Sequence, residues 1–106
     1  MSSVEIYLYS NCSSCKKAES ALKDANVQFD RRDIFKEKLS AAEISDVLTR
    51  IGSSAFGVLS TRSTPYRELD LANRTVSETE LIELMSEHPG LLKRPIIIAG
   101  EKHLVG

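Results

Sequence analysis

The chain holds two cysteines in 106 residues, and both fall in one tetrapeptide, Cys12-Ser13-Ser14-Cys15. Sulfur atoms three residues apart can exchange with another disulfide, supply half of a zinc site, or simply pack. A four-ligand zinc site would need His88 and His103, the two histidines, and their spacing from each other and from the cysteines fits no finger. A bridge across two intervening residues closes almost no loop, so it restricts the unfolded chain too little to staple a fold. Thiol–disulfide exchange is the chemistry favoured, ahead of zinc and of incidental packing, and it is the context of the tetrapeptide that favours it. Cys12 is then the attacking thiolate and Cys15 the thiol that resolves a mixed disulfide. Ser13 and Ser14 are small and leave room for a partner's sulfur.

That chemistry wants Cys12 at the start of a helix, and the surrounding pattern supplies one. Val4, Ile6 and Leu8 alternate with Glu5, Tyr7 and Tyr9, which predicts a strand with one buried face. Ser10-Asn11 breaks the alternation, and from Ser13 the apolar residues Cys15, Ala18, Leu22 and Ala25 recur at helical spacing. Cys12 therefore meets unpaired N–H groups and the positive end of a helix dipole, both of which stabilise a thiolate. Lys16 and Lys17 add cationic character beside it. A second extended run starts at Val27 and ends near Ile34-Phe35, so strand, helix and strand read as a βαβ unit with parallel strands.

The middle of the chain is helical. Ser40 with Glu43 forms a capping box, Leu39 with Ile44 a hydrophobic staple, and Ile44, Val47, Leu48 and Ile51 face inward before Gly52 stops the helix. Ser77 and Glu80 repeat that grammar for a helix presenting Leu81, Leu84 and Met85 and ending at His88-Pro89-Gly90. Between them lie a short helix near Phe56, a loop over Ser60 to Thr64, and a turn or helix from Pro65. The loop reads as an anion- or partner-binding segment around Arg62 or as an ordinary hydroxyl-rich turn. Pro95 to Ile98 and Lys102 to Val105 form a hairpin about Ala99-Gly100-Glu101.

The expected fold is α/β and thioredoxin-like: a βαβ unit, a helical insertion and a ββ hairpin. Such folds usually finish with one more helix, and this chain stops at Gly106. In that arrangement a proline opening a strand faces the cysteine pair, which places Arg94 and Pro95 beside Cys12 with a cis bond between them. Arg94 would supply a fixed positive charge to the thiolate or to a bound oxyanion.

Lys and Arg number 14 against 15 Asp and Glu, a net charge of −1, which argues against a domain that binds nucleic acid through its own surface. No apolar run approaches bilayer length, and residues 1–11 lack the basic start and apolar stretch of a signal peptide. The expectation is a single domain over residues 1–106, cytoplasmic and monomeric, with no membrane partner.

Four segments carry a resemblance. They are Cys12-Ser13-Ser14-Cys15-Lys16-Lys17-Ala18, then Ile34-Phe35 followed by Leu39-Ser40, then Ser60-Thr61-Arg62-Ser63, and His88-Pro89-Gly90-Leu91-Leu92-Lys93-Arg94-Pro95-Ile96-Ile97-Ile98. In order along essentially the whole chain, they resemble the Spx/ArsC family. The resemblance implies a thioredoxin-like core with a helical lobe over about residues 40–89. Its regulator branch implies a redox switch at Cys12 and Cys15 and a partner in the C-terminal domain of the RNA polymerase α subunit. The glycine through which that branch meets its partner falls on Ser54, with Gly52 and Gly57 nearby. The reductase branch implies a single catalytic cysteine matching Cys12, three arginines about arsenate, and electrons from glutathione and glutaredoxin. Of those arginines only the one matching Arg94 is present; the others fall on Ser60 and at or near Gly106. A Spx-like regulator is the leading reading and a glutaredoxin-coupled reductase of the arsenate type the alternative. No metal or organic cofactor is implied, and glutathione would be a co-substrate only on the second reading.

Overall fold

In a computed structural model describing residues 4–106, the alternating segment Val4–Leu8 forms strand β1, with Ile6 and Leu8 buried. Residues 1–3, part of the segment expected to carry no leader, lie outside the described residues. Helix α1 (Ser13–Asp24) follows, then strand β2 (Asp30–Asp33), parallel to β1 with Leu8 opposite Asp33. β2 begins later than the run from Val27 suggests, because the helix end consumes the first of those residues. Asn26, at φ 57°, turns left-handed, and the N–H of Val27 reaches back to the Leu22 carbonyl at 3.0 Å. Ala25, read on the inner stripe, is exposed as the cap of α1.

Strand β3 (Ile96–Ala99) pairs antiparallel with the other side of β1, and β4 (Lys102–Val105) antiparallel with β3, giving the order β2-β1-β3-β4. Ala99 belongs to the strand and not to the turn, which is Gly100-Glu101. Gly100 adopts φ 62°, a conformation that tight hairpin turns demand and that glycine adopts without steric cost. This is the thioredoxin-like arrangement, with an open sheet; β4 is its last element, and no helix follows it among the described residues. The segment up to Glu37 together with Arg94–Gly106 forms one compact unit. Ile6, Leu8 and Cys15 are buried together there, with Cys12, Ala18, Leu22, Phe29 and Ile97 packed against them. Each fully buried aliphatic side chain contributes about 1.5–3 kcal/mol.

Residues Lys38–Lys93 form the second unit, which is helical. Helix α2 (Ala41–Ile51) has the expected capping box: Glu43 N–H donates to Ser40 Oγ at 3.1 Å and Ser40 N–H to Glu43 Oε1 at 3.0 Å. Gly52, at φ 65°, ends it, with Ser53 N–H returning to the Leu48 carbonyl at 3.0 Å. Helix α3 (Thr64–Glu68) starts one residue before Pro65, and helix α4 (Glu78–Glu87) packs on α2. Only half of the second capping box forms. Glu80 N–H donates to Ser77 Oγ at 3.1 Å, while the Glu80 carboxylate pairs with Arg74 at 3.2 Å.

Candidate functional site

Cys12 is the cap residue of α1, with extended backbone at φ −91° and ψ 125°, and its side chain makes no capping hydrogen bond. The turn before it is closed by its own N–H, which donates to the Tyr9 carbonyl at 3.0 Å. Cys15, one turn on, is 1% exposed, and its sulfur accepts from the Tyr9 N–H at 3.5 Å. Both are free thiols, Cys12 half-buried and Cys15 buried.

Their environments push the two acidities apart. Burial raises the Cys12 thiol, but the N–H groups of Cys15 and Ser14, the Cys15 thiol and the charge of Arg94 together outweigh it and hold Cys12 below its ordinary value. Burial pushes Cys15 up to about 11, helped by the neighbouring Cys12 sulfur and opposed by the Tyr9 N–H and Arg94. One sulfur is therefore disposed to be a thiolate and the other to keep its proton. That division suits an attacking and a resolving thiol.

Arg94 and Pro95 are joined by a cis peptide bond at the entrance to β3, with Pro95 buried and Arg94 half-buried. Arg94 is the cation that bears on Cys12. Lys16 and Lys17, expected to share that role, stand exposed on α1 and are not among the groups that set its acidity. Long exposed ammonium groups are strongly hydrated and screened, whereas a half-buried guanidinium is not.

Two expected site residues belong to the helical unit. Arg62 is exposed in the Ser60–Ser63 loop, whose buried serine serves structure: Ser63 Oγ donates to the Ser60 carbonyl at 2.9 Å and accepts from Tyr66 N–H at 3.3 Å, capping α3. Ser54 is exposed ahead of the short helical turn Ala55–Val58, beside an open hollow of about 410 Å³ that Gly52, Leu48 and Ile82 also line.

Sequence reasoning missed the residues that frame Cys12. Tyr9 and Phe35 stack with ring centroids 3.9 Å apart at 24°, and the Arg94 guanidinium lies 5.1 Å from the Phe35 ring and 5.9 Å from the Tyr9 ring. Beneath them Asp33, only 6% exposed, joins two loops. Its Oδ2 accepts from the Ser10 hydroxyl and, at 3.2 Å, the Ser10 N–H; its Oδ1 accepts from the N–H groups of Phe35 at 2.9 Å and Lys36 at 3.3 Å. Arg31 donates to Ser10 Oγ at 3.1 Å and pairs with Glu19 at 2.6 Å. The signal was the parallel pair: strands that end together place the residues after both ends side by side, where α/β folds put their sites.

Among the described residues no group of three or more His, Cys, Asp and Glu side chains is placed to hold a metal ion. Among the described residues no helix is long and apolar enough to cross a membrane.

Known proteins are similar to this chain in sequence and in fold. The chain is 37% identical over 103 residues to the global transcriptional regulator Spx of Bacillus subtilis, covering 97% of this chain and 79% of that one. It is 32% identical over 100 residues to the regulatory protein MgsR of the same organism, covering 94% and 79%. An arsenate reductase from Vibrio cholerae superposes with a TM-score of 0.87 at 23% identity, covering 97% of this chain and 88% of that one, which is a likeness of fold. Residues 7–106 match the ArsC family. A cysteine pair at a helix start, an Arg–cis-Pro step entering β3 and a match along nearly the whole length agree: the chain belongs to the ArsC family.

Proposed function

We propose that this chain is a thiol/disulfide switch of the Spx type, which acts by binding the C-terminal domain of the RNA polymerase α subunit. The observation that carries the chemistry is the placement of two free thiols at one helix start, Cys12 half-buried at the cap of α1 and Cys15 buried one turn on, and their opposed acidities accord with it. The chain's likeness to Spx and MgsR supports regulation over turnover, since both are regulators by name. A doubly charged oxyanion wants several bidentate cations, and of the three arginines expected about arsenate only Arg94 is present.

The switch runs on an ordinary exchange. The Cys12 thiolate attacks a disulfide RSSR, forming Cys12–S–SR and releasing RS⁻. Cys15 then loses its proton to solvent or to the departing thiolate and attacks the Cys12 sulfur. A Cys12–Cys15 disulfide closes, a second RS⁻ leaves, and two electrons have passed from the pair to RSSR. An external dithiol reverses both steps. Binding of α alone, without direct DNA contact, accords with a net charge of −1.

The test is titration of the chain with purified polymerase α C-terminal domain, before and after oxidation with a small disulfide. Saturable binding that changes on oxidation supports the reading; no complex in either redox state overturns it. Glutathione-dependent arsenate reduction that survives Cys15→Ser and is lost in Cys12→Ser would assign the reductase reading instead.

A further inference from the structure

We propose that Phe35 is a positioning residue for Cys12, acting through the guanidinium of Arg94, which the Tyr9–Phe35 stack holds at the helix start. The inference rests on Cys12 being the attacking thiolate.

The geometry is a chain of supports. The Asp33 carboxylate ties the Ser10 loop to the turn that carries Phe35, and that tie brings Tyr9 and Phe35 into face-to-face contact at 3.9 Å. Asn11 Nδ2 donates to the Tyr9 hydroxyl at 3.2 Å and steadies the second ring. Arg94 lies within the range of an attractive cation–ring contact to both, closer to Phe35. An arginine has many rotamers, and a cation helps a thiolate only while it stays near it. Two stacked rings narrow those rotamers.

Phe35 is also where the idea can be tested without dismantling the core. It is 38% exposed, unlike Ile34 beside it at 1%.

The experiment follows iodoacetamide alkylation of each cysteine by mass spectrometry as a function of pH. The proteins are wild type, Phe35→Ala, Phe35→Leu, Phe35→Tyr, Arg94→Gln and Phe35→Ala/Arg94→Gln. Phe35→Ala and Phe35→Leu should slow Cys12 alkylation at neutral pH roughly two- to fivefold, the range of an exposed cation–ring contact. Phe35→Tyr should restore the wild-type profile, because it keeps the ring, whereas leucine keeps only apolar bulk. In the Arg94→Gln background, Phe35→Ala should add nothing. A wild-type profile in Phe35→Leu, or effects of Phe35→Ala and Arg94→Gln that multiply, overturns the proposal. The underlying reading fails on a different result: wild-type Cys12 no faster than Cys15.

Discussion

Asp33 offers the most demanding test of how the site is built. Its two carboxylate oxygens divide their work, Oδ1 serving Phe35 and Lys36 and Oδ2 serving both donors of Ser10. Asp33→Asn keeps one acceptor oxygen and turns an NH₂ group toward the other set of donors. Hydrogen bonds to a charged group contribute about 1.5–3 kcal/mol each, and a stranded buried donor costs about 1–3 kcal/mol. Water reaching the half-buried Ser10 offsets part of this, which leaves about 2–3 kcal/mol lost in Asn and somewhat more in Ala. For a domain whose whole stability is about 5–15 kcal/mol, that is a fall in melting temperature of roughly 10–20 °C. The pH dependence has a fixed sign. Burial raises the Asp33 carboxyl, but the bonds from Ser10, Phe35 and Lys36 outweigh it and hold it below its ordinary 3.8. Its contribution is therefore complete above about pH 4 and is lost as pH falls through the lower folded value. Thermal melts of wild type, Asp33→Asn and Asp33→Ala should show a constant gap from neutrality to about pH 4 that narrows in stronger acid. Variants melting with wild type at neutral pH, or a gap that widens in acid, would refute the reasoning.

Other expectations are simpler. Ser40→Ala and Ser77→Ala should each cost about 1 kcal/mol in urea unfolding, because each removes the hydroxyl that accepts the Glu43 or Glu80 N–H at a helix start; a variant as stable as wild type would count against it. Gly52→Ala should cost about 1 kcal/mol although nothing lies within 4 Å of the added carbon, since the φ of 65° is the whole penalty. Gly52→Asn should recover part of that loss, and a neutral Gly52→Ala would remove the argument. Cys15, raised from 9.0 to about 11, stabilises the fold fully below pH 9 and loses that contribution as pH climbs towards 11. Cys15→Ala should flatten the alkaline decline in melting temperature over that window, and an unchanged decline would contradict it.

What could be read from the sequence was whatever short spacing controls. The cysteine pair, the box at Ser40, the stop at Gly52 and the hairpin after Pro95 each lie within a few residues, and each formed as its local chemistry requires. The start of β2 was misread because Val27-Gln28-Phe29 has strand composition, while Asn26 binds the first of these to the helix end. The surroundings of Cys12 were harder still. Tyr9 and Phe35 are 26 residues apart, and in a linear reading each is only an aromatic ending a strand. Nothing in the linear sequence marks Asp33; its burial follows from N–H donors on two different loops, which only the folded register brings together.

The start of α1 differs from those of α2 and α4 in a way that bears on engineering. Those two open with a serine cap and acidic first turns, whereas α1 has a cysteine at the cap, no capping bond and no acidic residue in its first turn. Cys12→Ser, the usual inert control, is thus not energetically silent. It would install a good capping hydroxyl, worth about 1 kcal/mol, while deleting the nucleophile. Ser14→Glu would likewise strengthen the helix and set a like charge against the thiolate. Selection for heat resistance alone would wear this site away, and a thermostable descendant that kept its chemistry would have to gain its stability elsewhere in the chain.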